Sequence, residues 1–114
     1  MDTREARTRM YEIAGEGLAI VRRFVSGSRP TSSDRDDLRR LVLEARALLA
    51  EAGYPGETVW RGLQRANIGA DTDFDSYDAS YWQDVESDLE QGIETLSALV
   101  STAAPRDTDF HIVS

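Results

Sequence analysis

Residues 31–55 read TSSDRDDLRRLVLEARALLAEAGYP, and this stretch decides the fold. Leu38, Leu41, Val42, Ala45, Leu48, Leu49 and Ala52 recur at spacings that keep them on one side of a helix with 3.6 residues per turn. Ser32 or Ser33 is placed to accept a hydrogen bond from the unpaired N–H groups at the helix start. Asp34, Asp36 and Asp37 suit the positive end of its dipole. Gly53 and Pro55 supply the stop, since glycine tolerates a left-handed cap and proline lacks the N–H that continues the ladder. Start, periodicity and stop agree, which predicts a helix.

The same period continues on both sides of that stretch. From Arg4 to Val25, Met10, Ile13, Gly17, Ile20 and Phe24 lie beside a second row of Tyr11, Ala14, Leu18, Val21 and Val25, giving a wide apolar face that Ser26-Gly27-Ser28-Arg29-Pro30 closes. Gly15 and Gly17 inside this helix each cost up to about 1 kcal/mol relative to alanine, which predicts the close approach of a neighbouring helix or ring. A dinucleotide loop is excluded there, because no strand precedes Gly15 and Ile20 stands where the third glycine belongs. Beyond Gly53, Pro55-Gly56-Glu57-Thr58 opens a short helix with Val59, Trp60, Leu63 and Ile68 facing the core, ended by Asn67-Ile68-Gly69. Residues 70–77 read as a loop, and Asp78 begins a last long helix with Trp82, Val85, Leu89, Ile93, Leu96, Leu99 or Val100, and Ala103 along its stripe and Pro105 at its end. Sustained period-two alternation is confined to residues 107–114. The expectation is an all-α, antiparallel helical bundle of three long helices and one short third helix. It forms one domain over residues 1–105, followed by a polar C-terminal tail, 106–114.

Composition narrows the chemistry. The chain has 114 residues, 40% of them hydrophobic, enough for a single core without staples. Zero cysteines exclude thiol nucleophiles, zinc knuckles and disulfides, and the single histidine, His111, excludes a histidine pair, so neither metal nor cofactor is expected. With no apolar run of the ~18 residues a span needs and a charged amino terminus, the expected setting is cytoplasmic, without membrane contact. All 13 basic residues are arginine and the net charge is −8. Residues 1–65 carry twelve arginines against ten acids, whereas residues 66–114 carry Arg106 alone against eleven acids. Such asymmetry reads as a local electrostatic surface, and its sign argues against direct nucleic-acid binding and for a basic protein partner.

The densest acidic feature is Asp71-Thr72-Asp73-Phe74-Asp75-Ser76-Tyr77-Asp78. Alternate acids suggest the first half of a calcium loop, but Ser76 replaces the turn glycine and Trp82 stands where the bidentate glutamate belongs. Asp75 or Asp78 is placed to cap the following helix. On that helix Glu86, Glu90 and Glu94 are spaced by four, as are Asp84 and Asp88, and like charges at this spacing cost roughly 0.2–0.5 kcal/mol per pair. Arginines of the first two helices (Arg22, Arg23, Arg39, Arg40, Arg46) or a separate basic protein would offset the cost. The expected partner-binding surface is therefore Asp71, Asp73, Phe74, Asp75, Tyr77, Asp78, Asp84 and Asp88. Asp73, Asp75, Asp84 and Asp88 steer, while Phe74 and Tyr77 anchor. Trp60 and Trp82 fit core stripes, and Arg61 and Arg65 are placed to salt-bridge to the acidic half.

Arg106-Asp107-Thr108-Asp109-Phe110-His111, an arginine followed after four residues by histidine, resembles the signature of helical ribonucleases of the HEPN superfamily. The resemblance covers six residues, and in that family the motif opens a helix of the bundle, whereas here it follows Pro105. It implies an alternative in which Arg106 and His111 cleave RNA. The leading expectation is a non-enzymatic regulator or inhibitor of a basic protein, on the general plan of a small acidic immunity protein, antitoxin or adaptor. A homodimer joining the arginine-rich half of one copy to the acidic half of another is a further alternative.

Overall fold

A computed structural model describes residues 2–71 and 74–103. Among these residues lie four α-helices and no strand: α1, Thr3–Val25; α2, Ser32–Ala52; α3, Tyr54–Asp71; and α4, Ala79–Ala103, with one 3₁₀ turn at Phe74–Ser76. The fold is all-α. No described helix is long and apolar enough to cross a membrane.

Side chains fix the helix starts. Asp2 caps α1, accepting from the Glu5 N–H at 2.8 Å while the Glu5 carboxylate accepts from the Asp2 N–H at 3.3 Å. At α2 the cap is Thr31, not Ser32 or Ser33: its hydroxyl accepts from the Asp34 N–H at 3.0 Å, and Asp34 accepts from the Thr31 N–H at 3.1 Å. The choice follows from Asp34, which is only 6% exposed and also pairs with Arg23 of α1. Starting at Thr31 lets one carboxylate close the capping box and tie two helices together. Gly27 and Gly53 take φ of 106° and 80°, the left-handed conformation that ends α1 and α2. Arg7 then donates from Nε to the Ala52 carbonyl at 3.0 Å, satisfying one of the open acceptors at the end of α2.

The third helix is not short. It runs for 18 residues, through the Asn67-Ile68-Gly69 sequence read as its end. A Cβ at Gly69 would stand 2.8 Å from Trp82 Cζ2, and one at Gly62 would stand 3.0 Å from Leu89 Cδ2. These glycines let α3 lie close against α4 and are packing residues, not breakers. Pro55 sits in the first turn, where its missing N–H costs nothing. Ile68, expected in the core, is 45% exposed, and Ala66, Gly69 and Ala70 are buried on that turn instead.

Side-chain pairs set the arrangement. Arg7, early in α1, reaches Ala52 at the end of α2, and Arg23, late in α1, reaches Asp34 at the start of α2. Gly92 of α4 lies against Val59 early in α3, and Trp82 lies against Gly69 late in α3. Arg22 near the end of α1 meets Glu86 and Glu90, while Thr3 and Arg4 share a cleft with Leu99 and Val100. In the pairs α1–α2, α3–α4 and α1–α4, the start of one helix therefore lies by the end of the other. The core between them buries Met10, Ile13, Val21, Leu38, Leu41, Val59, Leu63, Val85, Leu89 and Leu96. Gly17 admits Leu63 into α1, as its position predicts, but Gly15 faces open space, and Tyr11 is 41% exposed.

Candidate functional site

Most of the expected docking residues are engaged within the chain. After α3 the peptide passes into the 3₁₀ turn, where Phe74 is half-buried and packs edge-on against Phe24, with ring centroids 5.7 Å apart, and beside Trp82 at 5.6 Å. Phe74 thus packs at the edge of the core. Tyr77 is half-buried as well and packs against Tyr81, with the rings tilted by 41° and centroids 4.3 Å apart. Arg29, from the α1–α2 connection, clamps the turn: it binds Asp75 through both guanidinium arms, at 2.6 and 3.2 Å, and lies 5.5 Å from the Phe74 ring centroid. The hydrogen bonds and charge of Arg29 hold the Asp75 carboxyl below the usual carboxylate range.

The same internal pairing reaches the other acids. Asp71 takes a hydrogen bond from Arg39 of α2 at 3.1 Å, and Asp88 takes one from Arg65 of α3 at 3.2 Å. Arg65 also lies over the Tyr81 ring at 4.9 Å, and the Tyr81 hydroxyl donates to the Arg65 carbonyl at 2.8 Å. Burial pushes the Tyr81 phenol up from its ordinary pKa, with the Arg65 charge partly opposing it. Asp71 and Asp75 are turned to arginines, and among the described residues no three potential ligands converge to hold a metal ion. Asp73, Arg106 and His111 lie outside the described residues.

What remains is a narrower surface on α4. Asp78 accepts from the Tyr81 N–H at 3.1 Å and so caps the helix, as its position predicts, but it has no ion pair among the described residues. Asp84 and Glu94 have none either. Glu86 and Glu90 share Arg22, which reaches them at 3.2 and 2.7 Å. Of the six carboxylates from Asp78 to Glu94, Asp88 is held by Arg65, and among the described residues Arg22 alone serves the other five. Asp84, Ser87, Gln91 and Glu94 form an exposed strip without a large apolar side chain.

Arg29 reads as part of a helix stop, and nothing local in the sequence marks it as the clamp of a turn 46 residues away. The large apolar residues standing most clear of the surface, Leu43 at 65% and Tyr54 at 74% exposure, lie on α2 and at the first residue of α3. Their signal was available: Leu43 falls opposite the Leu38, Leu41 and Ala45 stripe on a helical projection. Comparison with protein-family models, with curated protein sequences and with solved structures finds no match.

Proposed function

We propose that the chain is a non-enzymatic, cytoplasmic binding module, an antiparallel four-helix bundle that inhibits or regulates a basic partner protein, in the manner of an immunity protein, antitoxin or adaptor. Its docking surface is the outer side of α4, carried by Asp78, Asp84, Glu86, Glu90 and Glu94. The observation behind this reading is that, among the described residues, Arg22 is the one arginine paired with any of these five, reaching Glu86 and Glu90, while the other described acids of the loop and α4 are each paired with an arginine of their own. The reading thus moves away from Phe74, Asp75 and Tyr77, whose side chains hold the turn in place.

A strip of uncompensated like charge costs the helix a few tenths of a kcal/mol for each i,i+4 pair. A cationic partner removes that cost on docking and is drawn in from a distance, so its association is fast and salt-dependent. The test takes the basic proteins encoded by the neighbouring genes as probes and measures association by stopped-flow fluorescence at low and moderate salt. Binding to one of them, with an association rate that falls about tenfold or more on adding salt and falls likewise in the Asp84→Lys/Glu94→Lys chain, is the expected result. A rate indifferent to both changes sinks the proposal.

A further inference from the structure

We infer that a second copy of this chain docks on the outer face of α2, the two α2 helices lying parallel across a two-fold axis. Leu43, Ala47 and Ala50 are all exposed and follow one another at spacings of four and three, the period of a seam between two helices. Tyr54, 74% exposed, extends the apolar patch at its carboxyl end. Ala47 and Ala50 leave no bulk between the helix axes, so a facing helix can come close.

The charges beside this seam identify its occupant. Arg46 immediately precedes Ala47 and Glu51 immediately follows Ala50, so they flank the seam on opposite sides. Neither has an ion pair among the described residues; Arg46 rests 5.6 Å from the Trp60 ring centroid. In a parallel helix pair, a residue on one flank meets the residue five positions further along on the opposite flank of its partner, and ion pairs at these positions choose partner and orientation. Arg46 and Glu51 are five apart, so a second copy supplies the missing partner for both, twice over by symmetry. An antiparallel pair brings like flanks together and leaves Arg46 away from Glu51 of the other copy.

The same spacing recurs one heptad earlier in Arg39 and Glu44, but these are occupied, Arg39 by Asp36 and Asp71, Glu44 by Arg9 and Arg40. Arg40, next in line on the seam before Leu43, is bound to Glu16 of α1. The contact therefore begins at Leu43 and ends at Tyr54. An interface this short belongs to the weak class, with half-dissociation expected at about 100 μM.

The inference is independent of the acidic face of α4 and is tested on the full chain by sedimentation equilibrium from about 5 μM to about 1 mM, where a dimer of that strength passes from monomer to mostly dimer. Arg46→Glu and Glu51→Arg each place like charges across the seam and weaken association about tenfold, and the double exchange restores it. Leu43→Glu abolishes the dimer with the thermal midpoint of the monomer unchanged. Leu43→Cys gives a disulfide-linked dimer on mild oxidation, because only the parallel arrangement sets position 43 beside its copy. A monomer throughout the range, failure of the double exchange to restore association, or no cross-link at position 43 overturns the inference. So does a dimer that dissolves on Asp84→Lys/Glu94→Lys but not on Leu43→Glu, since its contact lies elsewhere.

Discussion

A methyl group added at Gly92 would stand 2.6 Å from Val59 Cγ2, and 3.6 Å from the Val59 backbone nitrogen. Valine is stiff about χ1 and Val59 is fully buried, so neither side can yield cheaply. Gly92→Ala is expected to lower stability by about 1–3 kcal/mol, read from chemical denaturation with circular dichroism. Gly15 is the opposite case: it is exposed, helical, and has nothing within 4 Å of an added Cβ. Gly15→Ala should raise stability by about 0.5–1 kcal/mol in the same assay. The two changes are chemically identical, and only the surroundings set the sign. Asp34 makes a related point, because its carboxylate both closes the capping box of α2 and holds Arg23 from a site that is nearly buried. Asp34→Ala leaves the Thr31 N–H without this acceptor and is expected to cost about 1–3 kcal/mol, checked by the shift in denaturation midpoint.

At the scale of elements, the turn after α3 is held by one arginine from a distant connection, and its pH response follows. Hydrogen bonding and charge from Arg29 depress the Asp75 pKa, so the folded chain binds that proton less readily than the unfolded one. The contribution is complete above the ordinary aspartate pKa and is lost as pH falls through the depressed value, so its window lies below about pH 4. A carboxyl NMR titration should place Asp75 below ordinary aspartates, and Arg29→Gln should return it to their range. Tyr81 works in the other direction: burial raises its pKa, so its contribution is complete below the ordinary phenol value and is lost as pH rises through the raised one. Absorbance titration near 295 nm should show one tyrosine ionising late, and Tyr81→Phe should remove that step. The helices α1, α2 and α4 were legible in the sequence because apolar period and end signals are local and agree. The length of α3 was not legible, because Gly69 reads as a stop until Trp82 is placed against it. No propensity rule separates a glycine that ends a helix from one that lets a neighbour in.

Over the whole molecule, the division of charge between the halves of the chain was plain from the sequence, but its pairing was not. Which carboxylate meets which arginine depends on the register of α4 against α1 and α3, and a side chain's sequence position does not contain that register. Arg22 reaches residues 64 and 68 positions away, and Arg29 reaches one 46 positions away. The packing of Phe74 and Tyr77 was not legible for the same reason: aromatic residues among acids suit an interface and a core edge equally, and the contacts with Phe24, Trp82 and Tyr81 are not local in the sequence. The acids of the loop and α4 accordingly separate into two sets that substitution should distinguish. Reversing charge at Asp75 and Asp88 breaks the clamps made by Arg29 and Arg65, leaving each arginine beside a like charge. The thermal midpoint should fall, with little change in association with a basic protein. Reversing charge at Asp84 and Glu94 breaks no ion pair among the described residues and relieves the repulsion of Asp84 by Asp88 and of Glu94 by Glu90. Here the midpoint should hold or rise slightly, while association with the basic partner slows and loses its dependence on salt. The two double variants, measured side by side by calorimetry and stopped-flow binding, should therefore move stability and association in a crossed pattern. If both lower stability and both slow binding, α4's carboxylates act as one structural network, and the docking surface assigned to its outer face must be abandoned.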